Sequence, residues 1–157
     1  MKQKAQEFFQ RKLTAPIKRQ IQQGATPHGM ALTVACGIAI AIFPLLGSTM
    51  LLCLIAGIVL KLNQPVLHAV NYILYPLQLI LIPVFLKLGA RLTDSTPITF
   101  DPLLIIHEFS TDLGSFFTKY GTAGLHGVLV WLIAAPPIVG ISYQILIRIF
   151  KKWKKPA

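Results

Sequence analysis

Asn71, Tyr72, Tyr75 and Gln78, with Tyr143 and Gln144 further along, are polar side chains set in otherwise apolar sequence. Asn71, Tyr75 and Gln78 stand at intervals of four and three, the spacing that brings side chains together on one helical surface. Amides and phenols in an apolar medium either join helices by hydrogen bonds or line a path for a polar solute. A second polar pair, Ser48 and Thr49, follows Pro44 and Gly47 in the stretch FPLLGST. Proton chemistry is less well served. His28, His68, His107 and His126 are scattered, and the adjacent His107 and Glu108 point different ways on a helix. There is no Gly-x-Ser-x-Gly elbow, Walker loop or metal-ligand cluster, so neither catalysis, a metal nor a cofactor is expected.

The elements that position these groups follow from composition. Of the 157 residues, 54% are hydrophobic and 13% charged, against about a quarter charged in soluble domains. No Asp, Glu, Lys or Arg lies between Arg19 and Lys61, between Lys61 and Lys87, or between Lys119 and Arg148. Three such gaps predict an all-α, polytopic integral membrane protein. The net charge of +10 invites a nucleic-acid reading, but its placement opposes one. Six basic residues precede the first apolar run and five follow the last, which predicts a bacterial inner-membrane protein with both termini cytoplasmic and no nucleic-acid partner. Cys36 and Cys53 lie in apolar sequence without a CxxC, as small packing residues do. No cleavable signal peptide is visible ahead of the first apolar run.

Along the chain, residues 1–23 place Ala5, Phe9, Leu13, Ile17 and Ile21 four apart between basic residues, as in a basic amphipathic cytoplasmic helix. A broken-helix membrane core occupies 24–92. Thr26-Pro27 starts a helix running to Phe43, and a second runs from Gly47 to Leu62; at about 25 and 24 Å each falls short of a hydrocarbon core of roughly 30 Å. The break at Pro44 and Gly47 is therefore a turn. It is the tip either of a re-entrant hairpin within the membrane or of two thin spans meeting at the far interface. Pro44, Gly47, Ser48 and Thr49 are the site candidates of the first case. Lys61 and Asn63, back at the cytoplasmic interface, suit a lipid headgroup. A second unit echoes the first, IFPLL against LYPLQ and VLKLN against FLKLG, as transporter repeats do. From 93 to 123 the chain is more polar, and Asp101-Pro102 opens an amphipathic interfacial helix that Gly121 stops. A last transmembrane helix, 124–150, carries a kink at Pro136-Pro137, and 151–157 is a basic cytoplasmic tail.

The segment from Gly24 to Leu92 resembles the bacterial membrane-protein family known as domain of unknown function 2062. The resemblance rests on Thr26-Pro27, on the small residues Ala31, Ala35 and Gly37, on Pro44 with Gly47, on Ser48-Thr49, on Lys61 with Asn63, and on Tyr75-Pro76. Ser48 stands where that family usually has Gln, and Tyr75 where it has Asn. The resemblance implies a membrane protein without an established activity. Fusions of its members to glycosyltransferase modules imply work on envelope lipids or lipid-linked sugars.

Two functions are expected from these features. One is binding or translocation of an amphipathic or anionic envelope substrate, a lipid or lipid-linked sugar, with Pro44, Gly47, Ser48, Thr49, Asn71, Tyr75 and Gln78 along its path. So few short helices require a homo-oligomer or a larger membrane complex to enclose such a path. The other is a non-catalytic scaffold for an envelope-biogenesis complex.

Overall fold

The computed structural model describes residues 26–95 and 102–154. The expected helix over 1–23 and the Asp101 start lie outside them. Every regular element among the described residues is helical: α1 (Pro27–Ala41), α2 (Thr49–Val59), α3 (Gln64–Leu92), α4 (Pro102–Thr111) and α5 (Leu113–Lys154).

α1 starts as its sequence predicts. Thr26 accepts a hydrogen bond from the Gly29 N–H on its side chain, and Pro27 occupies the first turn. Its composition is apolar all round, and it is buried all round, between α3 and α5. Met30, Ala31 and Val34 pack there with Val66, Val70 and Phe150. Cys36 and Cys53 are both buried in a neighbouring cluster with Ile40 and Leu67.

Contacts fix the directions. Thr33 meets Asn63, Gly37 abuts Val70, and Phe43 meets Gln78, so α1 runs parallel to α3. Tyr143 lies beside His28, Trp131 beside Ala39 and Gly127 beside Pro44, so α5 runs antiparallel to α1. α2 returns along α3 in the opposite sense, with Thr49 at Asn71 and the Leu54 carbonyl at Gln64.

Two helices, Gln64–Leu92 and Leu113–Trp153, are long and apolar enough to cross a membrane. Only 28% and 11% of their most apolar stretches are buried, the reverse of a soluble protein's core helix.

Several boundaries differ from the sequence reading. Both arms of the first unit are shorter than expected, ending at Ala41 and beginning at Thr49. The second unit stays one helix, as expected for a single crossing between Pro65 and Gly89: α3 continues through Pro76 and Pro83, and the echo of IFPLL in LYPLQ is not a second hairpin. The amphipathic segment is two helices, because the Asp112 carboxylate accepts the N–H groups of Gly114 and Ser115 and caps a new one. Nor does Gly121 stop that helix. α5 runs on through Gly121 and Pro136-Pro137 to Lys154, since one exposed glycine costs only about 1 kcal/mol in a helix of that length.

Candidate functional site

The turn between α1 and α2 is the most constrained irregular backbone in the bundle. Beyond the Ile40 carbonyl, which accepts the Phe43 N–H, the Ala39 and Phe43 carbonyls around the end of α1 take partners from other helices. Trp131 on α5 donates its indole N–H to the Ala39 carbonyl at 2.7 Å, and its ring meets Phe43 edge-on with centroids 4.8 Å apart. Gln78 on α3 donates to the Phe43 carbonyl at 2.8 Å. On the returning leg, Asn71 donates to the Thr49 hydroxyl at 3.3 Å. Two amides two turns apart on α3 thus grip the two legs of one turn.

Pro44 is buried against Gly127, and a side chain at Gly124 would collide with Leu45. Gly47 takes φ +82°, a left-handed conformation that glycine adopts without penalty, and it stands exposed with open space around it. Ser48 uses its hydroxyl to donate to the Leu45 carbonyl, and gives α2 no side-chain cap.

The depth of the turn can be measured along its neighbours. Gln78 is the central residue of α3, about 21 Å from either end and about 14 Å short of Lys87. On α5, Trp131 stands about 26 Å from Arg148 and about 18 Å from Lys119. Beyond these legs the tip goes further, Pro44 against Gly127 and Leu45 against Gly124, about 12 and 8 Å from Lys119, so the hairpin passes the middle of both long helices and its tip approaches their far charged ends.

The sequence candidates divide accordingly. Pro44, Thr49, Asn71 and Gln78 come together, with Asn71 4% and Gln78 1% exposed. Tyr75 is 45% exposed and stands with Tyr72 on an outward part of α3, away from the buried amides. Lys61 and Asn63 lie at the other end of the hairpin. Lys61 is exposed at φ +51°, while Asn63 caps α3 by accepting from Val66 and gives its own N–H to Thr33. The sequence reading missed Trp131, Gly124, Gly127 and Gly89. Their signal was the Gly124-x-x-Gly127 spacing, small residues that let helices approach closely.

The buried amides leave one feature unresolved among themselves. Asn71 Oδ1 and Gln78 Oε1 are buried and have no hydrogen-bond partner. For Gln78 the orientation is forced, because the Phe43 carbonyl can only accept and so must face the amide nitrogen.

Two open clefts lie elsewhere. One, about 360 Å³, runs between His28, Leu32, Val139 and Tyr143, where the Tyr143 hydroxyl hydrogen-bonds the His28 ring. The other, about 320 Å³, lies between α4 and α5 and is lined by His107, Glu108, Asp112 and Lys119. There Glu108 is engaged by Lys119 at 2.7 Å, and this hydrogen bond lowers the Glu108 pKa and raises that of Lys119. Asp112 is lowered by the Ser115 hydroxyl and N–H.

The sequence profile of the family described as "Uncharacterized protein conserved in bacteria (DUF2062)" matches residues 10–157, and the chain belongs to that family. No curated protein and no solved structure matches it.

Proposed function

We propose that this member of the DUF2062 family is a polytopic protein of the bacterial inner membrane, with α3 and α5 crossing the bilayer and the α1–α2 hairpin entering and leaving from the cytoplasmic side. Its work is to bind or move an amphipathic envelope molecule at the hairpin tip. Charge-free stretches of α3 and α5 that stay exposed in the folded chain support the membrane, and basic residues at both chain ends support cytoplasmic termini. The observation that carries the reading is the anchoring of the irregular backbone at Phe43 by Gln78, midway along α3. Irregular backbone at that depth persists only where protein or a wet cavity satisfies it, and Gln78 and Trp131 supply that role here. Broken helices at this level are where membrane carriers hold polar groups.

So few helices in one chain need company to enclose a path, and the working form is therefore a homo-oligomer or a larger complex. The outward face of α2, with Leu51, Leu54, Ile55, Ile58 and Val59 exposed, suits a neighbouring helix or lipid. That same face favours the second reading, a scaffold packed against an envelope enzyme.

Single cysteines from Phe43 to Thr49, in a background lacking Cys36 and Cys53, test the first reading with membrane-impermeant thiol reagents applied to each side. The expected result is poor labelling from outside. Free labelling from the outer face alone makes the tip an interfacial turn and removes the site.

A further inference from the structure

We infer that the tip recognises an uncharged, hydroxyl-bearing headgroup rather than a phosphate or a metal ion; this rests on the reading of the tip as a binding site. The argument begins with the unpaired acceptors. Gln78 Oε1 and Asn71 Oδ1 are buried carbonyl oxygens without donors, and a buried acceptor left unpaired loses the hydration it had without replacement. What completes them must bring a hydrogen. An anion brings none, and no Lys or Arg lies between Lys61 and Lys87 on α3 or between Lys119 and Arg148 on α5 to offset its charge. An inorganic cation needs several oxygens converging on one point. Asn71 and Gln78 are separated by two turns, about 10 Å along α3, and cannot share one ion. A hydroxyl satisfies each oxygen with a single hydrogen and can accept in turn from the unused amide hydrogens.

The surroundings fit such a group. The first turn of α2 covers this part of α3 through two long contacts, Thr49 to Asn71 at 3.3 Å and the Tyr72 hydroxyl to the Met50 sulfur at 4.0 Å. Tyr72 and Tyr75, one and four residues from Asn71 on α3, are 60% and 45% exposed and present flat rings with polar tips. Their chain neighbours, Leu77, Leu79 and Ile80, are exposed and apolar, a surface for acyl chains.

The test uses the full chain in phosphatidylcholine nanodiscs with two added lipids of matched acyl chains, glucosyl diacylglycerol and phosphatidic acid. Retention of each is read by native mass spectrometry. The glucosyl lipid should be held about tenfold more tightly than phosphatidic acid, and Gln78→Leu should remove about that factor. Tyr75→Leu, at an exposed position with no hydrogen bond to lose in the fold, should weaken it by about threefold even if Gln78→Leu impairs folding. Equal or tighter retention of phosphatidic acid overturns the inference. So does glucosyl-lipid retention that neither variant changes, the result expected if trapped water alone completes the amides. If neither lipid is held while the tip cysteines stay shielded from outside, the inference falls and the hairpin reading stands; outer labelling of those cysteines removes the hairpin reading itself.

Discussion

Two helix–break–helix units in this chain are built on opposite principles. The α1–α2 turn is apolar, with buried legs at Phe43 with Pro44 and at Thr49 and an exposed crest at residues 45–47, and neutral donors from two other helices hold the legs. The α4–α5 turn is polar and exposed, and its fastenings are the Asp112 cap and the Glu108–Lys119 ion pair. The first relies on shape and on hydrogen bonds strengthened by the absence of water, so its integrity is indifferent to pH and salt. The second relies on charges in water, which are individually weak and screened. The neutral-group site proposed at the hairpin would need the first kind of construction, and the interfacial placement expected of α4 would be served by the second.

The comparison is broken most severely where the first unit's frame is tightest. A methyl group at Gly89 would sit 2.5 Å from the His126 backbone carbon and 2.6 Å from its oxygen, with no flexible side chain to yield. Gly89→Ala should force α3 and α5 apart and destabilise the bundle by about 1–3 kcal/mol, and Gly89→Leu by more, read from denaturant unfolding in detergent. The hairpin fastenings come next. Trp131→Phe keeps the ring against Phe43 but leaves the Ala39 carbonyl without its donor, and should cost about 1–2 kcal/mol. Gln78→Leu orphans the Phe43 carbonyl while removing an unpaired oxygen, so its net cost should be smaller, about 1 kcal/mol, despite the residue's deeper burial. If Gln78→Leu costs more than Trp131→Phe, then Oε1 has a partner in the membrane. Gly47→Ala meets open space and pays only for its left-handed backbone, about 1 kcal/mol or less, without moving the rest of the hairpin.

Much of this architecture was legible because it is written in local chemistry. Thr26-Pro27, the break at Pro44 and Gly47, and the start of α3 at Asn63 are capping and turn signals that act within a few residues. Asn71 and Gln78 stood out because amides are rare in such apolar sequence. Their partners were not legible. Phe43 and Trp131 are separated by 88 residues, and only packing decides that an indole from α5 reaches the end of α1. Tyr75 shows the limit of spacing arguments: three and four residues place it near Asn71 and Gln78 on a helical wheel, yet Thr49 takes up Asn71 and the Phe43 carbonyl takes up Gln78 while the phenol stays 45% exposed. Gly121 carries the local signal of a helix stop, but a helix held by long neighbours on one side absorbs such a residue.

The mildest expected effect sharpens the contrast from the other side. Glu108 is held below its ordinary 4.5, first by the hydrogen bond from Lys119, and Lys119 is raised above its ordinary 10.5 by the same bond. A lowered carboxylate contributes stability that is complete above its unfolded pKa and is lost as pH falls through the folded one. A raised amine contributes stability that is complete below its unfolded pKa and is lost as pH rises through the folded one. The pair is therefore intact between about 4.5 and 10.5 and weakens outside that window. Asp112, held below 3.8 by Ser115, gives way on the acid side as well. Hydrogen exchange at pH 7 and pH 3, corrected for intrinsic rates, should show α4 and the first turn of α5 losing protection in acid while α1 and the middle of α3 keep theirs. Glu108→Gln should reproduce part of that loss at pH 7 and make α4 insensitive to added salt. Acid-induced loss at α1 would instead mean that the buried hairpin depends on a titrating group, and the division between a charge-held unit and a neutral one would not hold.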